Sequence, residues 1–283
     1  MKNKHSSSDF TINNLPHSRI QAFFDILKTQ WRKMLWNFLF FFLGALPFII
    51  VSILNLRGIT YGFQSISSGS ANENEVYFNM FSVNNYSNLF NIGSFLVFTI
   101  VISGLSRIYT KLCWQKGMLY FSDFGLGIKQ NLLQNAFFSI IIPIMVFLVG
   151  MFHSFAHFNL NSLMPLVFVF YGIIIFVFLP WYFIFTSMSA IYEEKFIPKL
   201  RNSFSILIRV FIPLGGFIIV LVLPFGLLFI GNFIVNIFTF ALFFLIYFPI
   251  WYLAYNLYIN KVFDKYINQR FYPEIVNRGI WRI

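Results

Sequence analysis

Between Met34 and Leu54 the sequence reads MLWNFLFFFLGALPFIIVSIL, 21 residues without a charged side chain. A run of about 18 or more such residues is long enough to cross the hydrocarbon of a bilayer as a helix. Its apolarity is continuous rather than alternating, which selects a helix over a barrel strand. The pattern recurs at about Ser87–Leu105, Leu132–Phe152, Leu163–Ala190, Ile206–Phe229 and Asn232–Asn256. Charged residues make up 10% of the 283, against about a quarter in soluble domains, so too little charge exists to coat a water-soluble surface. The predicted class is all-α, a polytopic transmembrane bundle of about six spans. A polar segment of 33 residues precedes the first run and no Ala-x-Ala site follows it, which is too late and too long for a signal peptide.

The charge distribution orients the bundle. The net charge of +11 is not gathered on one soluble segment, as nucleic-acid binding requires, so no nucleic-acid partner is expected. Lys2, Lys4, Arg19, Lys28, Arg32 and Lys33 precede the first span, and Arg107, Lys111, Lys116 and Lys129 lie between the second and third. Lys195, Lys199, Arg201 and Arg209 lie between the fourth and fifth, and five more basic residues follow from Lys261. Alternate connections therefore hold 19 of the 20 basic residues, with Arg57 the exception. The positive-inside rule then places both termini in the cytoplasm, facing anionic lipid headgroups. On the outer side, residues 55–86 are Ser/Asn-rich and are expected to form one sizeable mobile loop.

Three regions follow: residues 1–33 with an amphipathic interfacial helix, 34–256 with the six spans, and 257–283 as an amphipathic tail. In the first, Ile20, Phe23, Phe24, Leu27, Trp31 and Met34 share one helical face. In the tail, Val262, Phe263, Tyr266 and Ile267 oppose Lys261, Lys265 and Arg270. Both suit anchoring on the membrane surface or docking of a partner. Between the second and third spans, Lys116-Gly117 reads as a helix exit and Asp123 as the residue capping the next helix. Gly125 and Gly127 would let that helix bend. Lys33, Lys129 and Lys199 each precede a proline by 14 residues (Pro47, Pro143, Pro213), which suggests three related helical hairpins.

Chemistry-bearing patterns are scarce. No His-Glu-x-x-His, Gly-x-Ser-x-Gly or phosphate-loop motif occurs, and one cysteine, Cys113, excludes an internal disulfide. His153 and His157 stand four apart without a third ligand, and Glu193-Glu194 lie among basic residues, so polar decoration and a solvated charge cluster are the readings. No cofactor, metal or catalytic residue is expected. The polar groups within the spans, Asn91, Ser139, Asn232 and Asn236, read as glue between helices. The prolines inside them kink helices and free carbonyls.

Two stretches carry a resemblance. GLSRIYTKLCWQKGMLYFSDFGLGIKQNLLQNAF, from Gly104, has a basic helix end, a glycine, an F-x-D-F step and a K-x-N entry to the next span. YFIFTSMSAIYEEKFIPKLRNSFSILIRVFIPL, from Tyr182, has a short polar linker leading to L-x-N-S. Both resemble the segments between spans of the YesL-like family of bacterial membrane proteins. The resemblance implies a multi-helix protein of unassigned activity, associated with carbohydrate uptake and so with ABC-transporter subunits. Arg107, Lys111, Asp123, Lys129 and Asn131 fall on the matching positions, and Lys199 and Arg201 lie in the second segment. Two functions stay open: a non-enzymatic accessory subunit of an uptake system in the bacterial plasma membrane, or a small autonomous channel or transporter with a pathway lined by Pro-kinked helices.

Overall fold

The computed structural model describes residues 16–69, 72–230 and 232–280. Lys2, Lys4, Arg282 and the turn at Gly231 lie outside them. The described residues form helices and no strand. Six helical segments are long and apolar enough to cross a membrane, as the apolar runs require: Trp31–Ser67, Glu73–Cys113, Tyr120–Asn159, Asn161–Ile191, Phe211–Leu228 and Phe233–Phe271. The chain is a multi-pass helical membrane protein.

A short helix, α1 (Arg19–Thr29), leads into α2 (Trp31–Ser67), α3 (Glu73–Cys113) and α4 (Tyr120–Asn159). These three exceed their apolar runs at both ends. The mobile loop expected over residues 55–86 is instead a helical hairpin with a short turn after Ser67. Gly58 and Gly62, one turn apart, give α2 a flat strip on which α3 lies. A Cβ at Gly62 would stand 2.5 Å from Met80 Sδ, and one at Gly58 would stand 3.3 Å from Val83. Beside this strip Asn55 Nδ2 donates to Asn84 Oδ1 at 2.9 Å. Small residues that let backbones approach supply the packing that keeps a Ser/Asn-rich sequence helical.

The fourth span comprises α5 (Met164–Ile173), a π-helical turn (Ile174–Phe178) and α6 (Leu179–Ile191). The sixth repeats the device with α9 (Phe233–Leu242), a π-helical turn (Phe243–Tyr247) and α10 (Phe248–Phe263). Each wide turn ends two residues before a proline, Pro180 or Pro249. A proline has no N–H to give and its ring crowds the preceding carbonyls, so the wider turn absorbs the misfit. Pro47 and Pro143, by contrast, lie inside α2 and α4, which run unbroken.

The fifth span starts later than expected. Lys199 and Arg209 belong to a separate helix, α7 (Phe196–Arg209), and the chain turns at Val210 before α8 (Phe211–Val222). The third lysine–proline pair therefore lies on two helices, whereas Lys33/Pro47 and Lys129/Pro143 each lie on one.

The axis of the bundle is filled by rings. Phe41 meets Phe248 at 4.9 Å, Tyr252 at 5.6 Å and Tyr109 at 6.0 Å between centroids, and Phe183 and Phe98 close the cluster. All of them are buried.

Candidate functional site

Apart from Arg57, the described basic residues gather at one end of the bundle. Its first part is the crossing of α3 and α4, set by two glycines. A Cβ at Gly127 would stand 2.8 Å from the Gly104 carbonyl oxygen and 2.9 Å from that of Ser103. A Cβ at Gly104 would meet the Phe124 ring at 2.5 Å. Gly127 therefore serves close approach rather than bending, while Gly125 faces open space.

This approach brings Asp123 between two cations of α3. Its Oδ1 accepts from Lys111 Nζ at 2.6 Å and lies 3.5 Å from Arg107 Nε. Its Oδ2 accepts the Leu119 backbone N–H at 3.0 Å. The cap expected of Asp123 is present only in that last bond. Leu119 occupies the N-cap position, Asp123 sits one turn further in, and its larger part is to bind two helices together. Arg107 Nη1 also donates to Gln130 Oε1 at 2.6 Å.

The exit of α3 differs from the expectation at Gly117. Gln115 takes the left-handed conformation (φ 51), its N–H reaches the Leu112 carbonyl, and the Lys116 N–H reaches that of Lys111. This is a Schellman closure with glutamine in the place glycine usually takes.

Lys199 is buried, at 2% exposure, and its Nζ donates to Gln134 Oε1 of α4 at 2.7 Å. Burial lowers its pKa, opposed by the nearby Glu194 carboxylate. Asn131 is also buried, on the same face of α4 as Asp123, Gly127 and Asn135, and Asn135 Nδ2 donates to Ser103 Oγ at 2.9 Å. Lys129 and Arg201 are exposed. The structure thus unites Arg107, Lys111 and Asp123, joins Lys199 to the same helix further along, and leaves Lys129 and Arg201 facing outward.

A further row of residues escaped the sequence reading. Asn256, Asn260, Asp264 and Asn268 recur every four residues along α10 and its continuation, and all are buried. The sixth helix runs past 256, the expected end of the six-span region, with no break before the expected tail at 257. Each member of the row holds a different neighbour. Asn256 Oδ1 accepts from Ser187 of α6, Asn260 Oδ1 from Trp114 Nε1 after α3, and Asn268 Oδ1 from Tyr192 Oη. Asp264 Oδ2 takes Arg19 of α1 at 2.8 Å and the Asn277 N–H at 3.2 Å. The four-residue period is present in the sequence, but beside the apolar Val262, Phe263, Tyr266 and Ile267 a row of Asn and Asp reads as a solvated face.

Helix α1 docks on this assembly through Ala22 and Ile26, both fully buried, while Ile20 and Phe24 of the expected interfacial face stay exposed. Trp114 lies between Arg278, 5.1 Å from the ring centroid, and Lys116, at 4.9 Å. Gly279 (φ 79) crosses directly over the Cys113 carbonyl, where no side chain fits.

At the opposite end His153 and His157 pack against Phe81, and Tyr77 and Tyr171 complete their surroundings. Among the described residues no group of three His, Cys, Asp or Glu could share a metal. Glu194 accepts from Asn202 at 3.3 Å. The arrangement is suited to fixing charges in place and presenting cations outward. Comparisons with protein-family models, curated proteins and solved structures find no match.

Proposed function

We propose that this protein is a non-enzymatic subunit of a bacterial plasma-membrane uptake system of the ABC type, with its basic end and both termini in the cytoplasm. The observation that carries this reading is the filled axis. A central pathway would have to run where Phe41, Phe98, Tyr109, Phe183, Phe248 and Tyr252 pack together, and the cavity of about 1030 Å³ beside Pro213 and Pro224 is lined almost wholly by apolar groups. The Pro249 carbonyl itself accepts from Tyr109 Oη at 3.0 Å. What remains for function is the basic end: a polar assembly, latched by Asp123 and Asp264, that presents exposed cations, Lys129 among them, to a partner. The positive-inside bias supports the orientation. The resemblance of the two segments from Gly104 and Tyr182 to the YesL-like family supports the carbohydrate-uptake context.

The test is purification from native membranes in mild detergent, followed by mass spectrometry of the proteins retained. Permease or solute-binding subunits in fixed stoichiometry are the expected result. A homo-oligomer without partners, active in a liposome flux assay, would overturn the reading in favour of an autonomous transporter.

A further inference from the structure

Helix α7 lies where the charged part of the bundle gives way to the apolar part. Lys199 anchors it to Gln134, just beyond Lys129, the last Lys or Arg of α4. Trp181 Nε1 of α6 donates to Ser203 Oγ at 2.8 Å and holds its middle. Too short and too polar to cross a membrane, α7 buries Lys199, Ser203, Ile206 and Leu207 against the bundle.

Its outward side carries a second apolar stripe. Ile197 is 68% exposed, Ile208 65% and Phe204 39%. At 100° per residue these three fall within about 40° of one another, opposite the buried face. Arg201 falls about 40° round the helix from Ile197, at the edge of the stripe, and Arg209 about 120° round on the same side, both exposed. The ion pairs among the described residues, Arg19–Asp264, Arg107–Asp123 and Lys111–Asp123, engage neither arginine. Arg209 instead covers the Tyr266 ring at 5.3 Å, and the acid nearest in sequence to Arg201, Glu194, is taken by Asn202.

An exposed apolar stripe between the fourth and fifth spans, with two arginines beside it that form no ion pair among the described residues, matches the two halves of an acidic phospholipid. We propose that α7 is a binding site for anionic phospholipid, with Ile197, Phe204 and Ile208 among the acyl chains and Arg201 and Arg209 on the phosphate. Arginine suits this because its planar fork pairs two donors with phosphate oxygens while its stem stays in apolar surroundings. The inference needs membrane insertion but not the uptake-subunit reading, so either can fail alone.

The full chain, purified in neutral detergent, is titrated with phosphatidylglycerol or phosphatidylcholine, and retained lipid is counted by native mass spectrometry. Phosphatidylglycerol is expected to be retained preferentially. Arg201→Gln should weaken it about fivefold and the double variant with Arg209→Gln about thirtyfold, with the effect shrinking as salt rises. Arg201 is exposed and enters no ion pair or ring contact among the described residues, and Arg201→Lys should keep most of the preference. Ile197→Ser with Ile208→Ser should lower retention of both lipids. Unchanged retention in Arg201→Gln would overturn the proposal. So would equal competition by soluble glycerol phosphate, which would mark a site for free anions.

Discussion

At Asp123 a carboxylate that is 5% exposed meets Lys111 and Arg107, themselves about a quarter exposed. Asp123→Asn keeps an acceptor for the Leu119 amide but leaves two cations without a counter-charge. We expect a loss of about 1–2 kcal/mol, seen as a lower Tm in detergent. A pure helix cap would tolerate that change, so a Tm within error of wild type would return Asp123 to the capping role. Lys199 presents the reverse case, an ammonium buried against a neutral amide. Burial lowers its folded pKa, so the unfolded chain keeps the proton to higher pH. Between the lowered folded value and about 10.4 the unfolded state binds more protons, and stability rises with pH. Lys199→Met should therefore compare best with wild type at pH 7, below this window. Its stability relative to wild type should fall as pH climbs through this window, which thermal melts at stepped pH would reveal.

The contact of α3 with α4 depends on glycines that serve different ends only two residues apart. Gly127→Ala would push a methyl into two backbone carbonyls that cannot move aside, at an expected cost of about 1–3 kcal/mol. Gly125→Ala meets nothing within 4 Å and should gain up to about 1 kcal/mol from helix propensity. Equal effects would show that helix flexibility, not close approach, is what the glycines supply. An element boundary was legible where an apolar run met charge at a true helix end, as at Ala190 beside the Ile191 end of α6, but not at Lys129 and Leu132, through which α4 runs unbroken. Nor was one legible over residues 55–86, because Ser and Asn read as loop formers when alone. There the outcome depends on Gly58 and Gly62 meeting α3, a tertiary fact. The row on α10 was hidden for a related reason. Its partners Ser187 and Trp114 lie 69 and 146 residues away, so its polar side looked like a solvated face.

For the whole molecule, the alternation of charge was the clearest signal, and it makes a prediction about sidedness. Cys113 is fully buried and cannot report it to a thiol reagent. In a Cys113→Ala background, Ser67→Cys and Lys129→Cys place accessible thiols at opposite ends. A membrane-impermeant maleimide on intact cells should label the first and spare the second, and the opposite result would invert the bundle. At 1.5 Å per residue the 41 residues of α3 extend about 60 Å, twice the hydrocarbon thickness, so much of the α2–α4 hairpins stands clear of the bilayer. The α10 row has a consequence in time. Arg19 leaves the ribosome 245 residues ahead of its partner Asp264. Tyr192 and Trp114 wait on the same helix. The early helices can enter the membrane one by one, but their basic end stays unlatched until α10 has been translated. A nascent chain stalled before Asp264 would thus carry Arg19 without its carboxylate.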